Sequence, residues 1–323
     1  GMPVSTTHSI VGAVAGCGLV SAGCGAVNWG KMGQIVSSWF ISPVAGGLMG
    51  YLTFVYISKA ILGNEKPARA AVRHIPFIVF LLTAVVMLAT IFKGLTHVIK
   101  NIDWLSPGLA FWLSMGVALI TAILYRSYAR HKLRDKENAR LGVQLEAVEQ
   151  VFVPLVITSS CSVAFAHGAN DVANSVGPLA AIVSILQSGV MDAKVPVPLW
   201  ILTLGGVGIV IGLATYGFKV MMTVGTKITE ITPSRGVAAD LAATATVLAC
   251  TRLSLPVSTT HTLVGAILGI GLARGLSGID KRVVSSIFGS WLFTVPAAAI
   301  MSAIFFVFGK ALFFDTISAA LKH

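Results

Sequence analysis

Long apolar runs alternate with short polar interruptions along the whole chain. Residues 9–27 are small, apolar and rich in glycine, and 34–62 form a longer apolar stretch holding Trp39, Pro43 and Tyr51. Residues 75–92 (IPFIVFLLTAVVMLATIF) make an unbroken span, 93–106 a short polar turn and 107–125 another span. Residues 150–167 are apolar again, a polar cluster interrupts at 168–175, and apolar character returns to 187. Further apolar stretches lie at 198–217, 236–250, 262–273 and 284–313, with an amphipathic connection at 219–235. An apolar run of ~20 residues matches the hydrocarbon thickness of a bilayer, so a chain of 323 residues has room for about nine or ten crossings. The pattern predicts an all-α polytopic membrane protein.

Composition agrees. Hydrophobic residues make up 55% of the chain and charged residues only 11%, against roughly 25% charged in soluble domains. Both a water-soluble single domain and a disordered chain are excluded, since disorder needs low hydrophobicity and high charge. The balance of 23 Lys+Arg against 12 Asp+Glu gives +11. In a multi-span protein that excess marks the loops kept inside, so it reports orientation rather than a nucleic-acid partner. Residues 59–73 carry Lys59, Lys66, Arg69 and Arg73 against Glu65. Residues 126–149 carry Arg126, Arg130, Lys132, Arg134, Lys136 and Arg140 against Asp135, Glu137, Glu146 and Glu149. The two segments agree in parity, which predicts both as cytoplasmic in a multi-pass protein of the cell (inner or plasma) membrane. Three regions follow: membrane helices at 1–125, a charged helical linker at 126–149 and a second membrane half at 150–323. Cys17, Cys24, Cys161 and Cys250 lie in apolar runs without a CxxC pair and read as packing residues.

An internal repeat carries the chemistry. Pro3-Val4-Ser5-Thr6-Thr7-His8-Ser9-Ile10-Val11-Gly12-Ala13 recurs as Pro256-Val257-Ser258-Thr259-Thr260-His261-Thr262-Leu263-Val264-Gly265-Ala266, identical at nine of eleven positions. An echo follows each copy: Ser38-Trp39 with Ser42-Pro43, then Ser290-Trp291 with Thr294 and Pro296. Paired repeats with interrupted helices at the substrate site are the pattern of secondary transporters. Each copy opens onto a new helical run, with proline tolerated in the first turn and Ser/Thr supplying caps. Unpaired N–H groups, the positive end of the helix dipole and the hydroxyls of Ser5, Thr6, Thr7, Ser258, Thr259 and Thr260 together suit an oxyanion.

Asp171 is the second signal, because a carboxylate inside the membrane costs at least ~2.5 kcal/mol and is by default functional. Asn170 and Asn174, four apart, share a helix face and with Asp171 offer hard oxygen ligands for Na⁺, or a carboxylate for a proton. Gly168 and Gly177-Pro178 are places where such a helix would break. Asp240 lies in an apolar run ahead of Arg252, with which it would pair inside the bundle. His167 is either a satisfied buried histidine or a residue that tunes cation coupling.

The Gly168–Ser175 block (GANDVANS) with two PVSTTH blocks resembles the inorganic phosphate transporter family, the Pit-type low-affinity phosphate permeases related to sodium–phosphate symporters. The resemblance covers essentially the whole chain. It implies an inverted-repeat transporter with re-entrant or broken helices. It implies phosphate bound by Ser5, Thr6, Thr7, Ser258, Thr259 and Thr260, and a cation site at Asn170, Asp171 and Asn174. It implies symport with Na⁺ or H⁺ by alternating access, with no cofactor beyond the co-transported ion, and leaves a homodimer open. Family members carry such a GAND block in each half, whereas this chain has one. The block begins 88 residues ahead of Pro256, and the same interval ahead of Pro3 falls before the first residue, so the expectation is a chain lacking an N-terminal GAND-containing part.

Two alternatives stay open at this level. A sulfate or other oxyanion permease would use the same donors. Ser258, His261 and Asp171 also permit a membrane-embedded serine hydrolase, although the Ser–His spacing occurs twice and lacks a nucleophile elbow, so a non-enzyme is expected.

Overall fold

A computed structural model describes residues 2–91, 106–189, 195–252, 257–275 and 279–315, with residues 166, 169, 170, 251, 252, 314 and 315 described by their backbone alone. Every regular element among these residues is helical: α1 (Thr6–Ala22), α2 (Trp29–Ile57), α3 (Pro67–Ala89), α4 (Pro107–Leu133), α5 (Leu141–Ser188), α6 (Leu199–Gly212), α7 (Pro233–Arg252), α8 (Thr259–Ala273) and α9 (Lys281–Gly309). A π-helical turn extends α2 to Leu62, and mixed π and α turns extend α6 to Lys227. The expected polar turn at 93–106 lies, save for Ser106, outside the described residues.

Several helix starts follow from local chemistry. Proline opens α3 and α4, where its missing N–H is harmless, and Ser106 caps α4 by accepting from the Leu109 N–H. Gly23, at φ 75°, closes α1 in the left-handed region that glycine alone enters freely.

Six helices among the described residues are long and apolar enough to cross a membrane. Two apolar helices, α1 and α8, are shorter, at 17 and 15 residues, and each is opened by one copy of the repeated motif. The two stretches on either side of the GAND block merge into the single 48-residue helix α5. Gly168 and Gly177-Pro178 therefore do not break it. Outside water the backbone keeps its hydrogen bonds internal, and that requirement outweighs about 1 kcal/mol for a glycine or ~3 kcal/mol for an interior proline.

The chain forms two compact units. The first comprises residues 1–39, 171–223 and 281–323. Within it α1 packs along α9. Gly12 and Gly16, four apart on α1, lie so close to the backbone at Val295 and Ala299 that a Cβ on either would collide with it. The spacing allows the close backbone approach that drives helix association in lipid. Val176, Ala180 and Ile201 form a small core, covered by Val172, Leu179 and Val183.

The second unit comprises residues 40–170 and 224–280. Here α3 packs on α4 and α7, and α7 on α8. Ile57, Ile75, Phe152, Ile228, Val237 and Ala242 are fully buried. Gly265 and Gly269 of α8 press on the backbone of α2 at Pro43 and Gly47. This is the arrangement of the first unit repeated: Gly12 and Gly265 hold the tenth position of the two motif copies, and Val295 and Pro43 each follow the echo tryptophan by four. Each unit thus pairs a helix begun by one motif copy with the echo helix of the other copy.

Residues 126–149 divide among the end of α4, a 3-10 turn at Arg134–Lys136 and the start of α5. Two of their side chains cap distant helices. Gln144 Oε1 accepts from the Ala68 N–H at the start of α3, and Glu149 accepts from the Ser234 N–H and Oγ at 2.9 and 2.7 Å at the start of α7. A carboxylate there also complements the helix dipole. Of the four cysteines only Cys250 is buried, while Cys24 and Cys161 are exposed, so the packing role expected of all four does not hold.

Candidate functional site

The two motif copies fold alike. Ser5 takes the extended conformation (φ −84°, ψ 122°) and its Oγ accepts from the His8 N–H at 3.4 Å. Ser258 does the same (φ −86°, ψ 114°), accepting from the His261 N–H at 3.3 Å. Both serines are buried at 1% exposure, so each cap works away from water, where an unpaired donor is most costly. The Ser–His spacing is therefore a capping interval: in each copy Oγ faces the histidine backbone. Pro256 lies outside the described residues, so the proline of the second copy has no place in this comparison.

In the first unit the motif is anchored by aromatic side chains. His8 Nδ1 lies 3.2 Å from the Trp291 carbonyl, its ring centroid lies 3.8 Å from that of Trp39 with the planes tilted by 39°, and Trp291 Nε1 donates to the Pro3 carbonyl at 2.9 Å. The first echo tryptophan thus holds the His8 ring and the second fixes the backbone ahead of the cap. Thr6 is exposed and Thr7 half-buried. Thr7 Oγ1 receives a hydrogen bond from Asn174 Nδ2 at 3.1 Å. A hydroxyl expected to hold substrate and an amide expected to hold the cation are therefore in direct contact. Asp171, half-buried, stands one helical turn before Asn174 on α5, and its carbonyl accepts from Ser175 Oγ. Pro178 has no N–H for the Asn174 carbonyl, which leaves that helical bond unmade beside the polar cluster. The side chain of Asn170 lies outside the described residues.

In the second unit Thr259 is the tied threonine. Its Oγ1 is 2.7 Å from His167 Nε2, so the histidine that precedes the GAND block meets the hydroxyl that follows the Ser258 cap. These two residues, with Thr244, are the polar lining of an apolar cavity of about 30 Å³ among α3, α5, α7 and α8. That volume accommodates about two waters. Thr260 is half-buried. Asp240 is buried on α7, and its carboxylate accepts from Ser159 Oγ at 2.5 Å and Ser160 Oγ at 2.8 Å. Two α5 hydroxyls thus hold the charge that Arg252 was expected to pair, and the Arg252 side chain lies outside the described residues.

Among the described residues no three His, Cys, Asp or Glu side chains cluster. The ligands on offer are hydroxyl, amide and carboxylate oxygens, which suit hard cations. Ser159, Ser160, Gln144 and Glu149 carried no local sequence signal, being ordinary residues in a helix whose partners lie 76 to 85 positions away.

Comparison with known proteins gives a consistent picture. A model of the phosphate transporter family matches residues 1–302. A protein named as a phosphate permease from Pyrococcus furiosus is 44% identical over 306 residues, spanning 95% of this chain and 71% of the relative. One of the same name from Haemophilus influenzae is 42% identical over 314 residues, 97% of this chain and 74% of the relative. A chloroplastic inorganic phosphate transporter from Arabidopsis thaliana is 39% identical over 335 residues, 97% of this chain and 56% of the relative. A solved structure described as the sodium-dependent phosphate transporter matches with a TM-score of 0.83 and 39% identity, covering 96% of this chain and 74% of its own.

Proposed function

This chain belongs to the phosphate transporter family, and from that premise we propose that it is a secondary active symporter of inorganic phosphate driven by Na⁺, working by alternating access. It is a multi-pass membrane protein. We place it in the cell membrane with residues 59–73 and 126–149 on the cytoplasmic side.

The observation that carries the proposal is the pair of matching N-caps, each beginning an apolar helix and each tied through a threonine to the polar face of α5. Each copy offers backbone N–H groups at a positive helix end together with threonine hydroxyls, the donor set that tetrahedral oxyanions accept. In our reading Ser5 and Ser258 set the helix starts, while Thr6, Thr7, Thr259 and Thr260 supply hydroxyls to phosphate. Asp171, Asn170 and Asn174 supply oxygens to the cation, and the Asn174–Thr7 bond makes phosphate binding sensitive to the ion. Na⁺ is favoured over H⁺ by the amide and hydroxyl oxygens beside Asp171, and by the sodium dependence in the description of the matching structure.

The test is uptake of radiolabelled phosphate into proteoliposomes under imposed gradients, with unlabelled sulfate as competitor. Accumulation driven by Na⁺ and resistant to sulfate is expected. Accumulation driven by a proton gradient alone would replace the ion, and competition by sulfate at equal concentration would replace the substrate.

A further inference from the structure

One strongly charged cleft takes no part in the phosphate and cation elements. It lies in the second unit, has a volume of about 890 Å³, and is bounded by the loop after α2, the first two turns of α3 and the end of α4. Lys66, Arg69, Arg73, Arg126 and Arg130 line it. Glu65 and Glu137 line it too, so five positive groups face two negative ones and the lining carries three net positive charges. All five basic side chains are exposed, while the backbone beneath them is firmly packed: Pro67, Ala68, Ala70 and Ala71 are buried, and Gln144 holds the Ala68 N–H. Arginine pairs arranged at one helical turn on each of two helices, Arg69 with Arg73 and Arg126 with Arg130, suit the bidentate recognition of phosphate oxygens.

The position of the cleft selects among phosphate-bearing ligands. On α4, Ile123 and Leu124 are 60% and 65% exposed and Arg126 follows after Tyr125, so the helix passes from an apolar outer surface to the cleft within one turn. On the other side the apolar run of α3 begins at Ile75, two residues after Arg73. The basic groups therefore stand at the level where a span ends, with apolar surface for acyl chains beside them. Basic pockets between helices at that level take lipid head groups. The volume is also of the size usual for whole-molecule sites rather than for a single small ion.

We propose that this cleft is a binding site for the phosphate head group of an anionic phospholipid. Arg126 and Arg130 grip the phosphate from α4, Arg69 and Arg73 from α3, and the acyl chains run along Ile123 and Leu124. The site is independent of the transport reaction, since none of its residues belongs to the repeated motif or the GAND block.

The experiment measures binding of fluorescent phosphatidylglycerol to the full chain in neutral detergent, with fluorescent phosphatidylcholine and inorganic phosphate as comparators. Phosphatidylglycerol is expected to bind, phosphatidylcholine, which lacks its one net negative charge, to bind about fivefold more weakly, and millimolar inorganic phosphate not to compete. The double variant Arg126→Gln, Arg130→Gln should weaken phosphatidylglycerol about twenty-fivefold, at about fivefold per surface charge. The control pair Lys132→Gln, Lys136→Gln removes the same charge from exposed positions outside the cleft and should leave binding within about twofold, allowing for diffuse attraction within a Debye length. Equal loss in both variants would reduce the effect to diffuse attraction. Equal binding of the two lipids, or displacement by inorganic phosphate, would overturn the lipid assignment.

Discussion

The Asn174 side-chain amide donates to the Thr7 hydroxyl at 3.1 Å across 167 residues of sequence. A residue of the GAND block and a residue of the first motif copy thereby form one contact within the first unit. If Na⁺ beside Asn174 orients the hydroxyl that binds phosphate, the two side chains act together. Thr7→Val and Asn174→Ala should each lower Na⁺-driven phosphate uptake by about tenfold, near 1.4 kcal/mol. The double variant should be little worse than the poorer single, because one hydrogen bond of about 1 kcal/mol is being removed twice. Initial rates in proteoliposomes measure this; a hundredfold loss in the double variant would mean that the two residues act separately.

The serine caps predict a stability effect without any chemistry at the serine. Ser258→Ala should destabilise the chain by ~1 kcal/mol and Ser258→Thr by less, read as a shift in thermal unfolding in detergent, and Ser5 should behave in parallel. A fluorophosphonate probe should leave Ser258 unlabelled, because Oγ is turned to the His261 N–H at 3.3 Å. Labelling of Ser258 would restore the hydrolase alternative.

Close helix packing makes a further prediction. Gly265→Leu and Gly12→Leu place side chains where the backbones at Pro43 and Val295 already stand. Overpacking of this kind costs about 1–3 kcal/mol, more where the obstacle is backbone. Both variants should lose the monodisperse peak in size-exclusion chromatography. Gly116→Ala on α4 has open space around it and should be neutral or stabilising by up to about 1 kcal/mol.

Glu149 caps α7 from a segment that composition presents as a solvated charged linker. Its carboxylate accepts from the Ser234 N–H, the Ser234 hydroxyl and the Thr232 hydroxyl. Glu149→Ala should cost about 1–3 kcal/mol by taking the acceptor from the Ser234 N–H and leaving the Thr232 and Ser234 hydroxyls only each other, whereas Glu146→Ala, on an exposed face, should fall within about 0.5 kcal/mol. Urea or thermal unfolding of the two variants side by side decides between a capping role and a merely solubilising one.

Local features were legible in the sequence and long-range ones were not. The Ser-Thr-Thr-His copies announce two N-caps because a cap is made within three residues, and a second glycine four residues after the one in each copy, Gly16 after Gly12 and Gly269 after Gly265, marks the packing face. The repeat even held the pairing of the echo tryptophans, although not the exchange by which each copy packs on the other's echo. Helix α5 runs on through Gly168 and Pro178, which are breakers by local propensity, because the demand for internal backbone hydrogen bonds that overrides them belongs to the surroundings. Apolarity marks the runs, but not that two of them share one helix or that α1 and α8 are short. The tie between Thr259 and His167 joins residues 92 apart, and the Asp240 pairs join residues 80 and 81 apart, so neither leaves a periodic trace.

Asp171 carries the coupling in this scheme, and its replacement is the sharpest test. Asp171→Asn keeps the shape and one carbonyl oxygen but removes the charge that a Na⁺ ion requires. In proteoliposomes under an inward Na⁺ gradient, phosphate accumulation should fall to the level of protein-free vesicles, while phosphate binding measured at high Na⁺ without a gradient is partly kept. Undiminished gradient-driven accumulation by Asp171→Asn would contradict the proposed Na⁺-coupled symport.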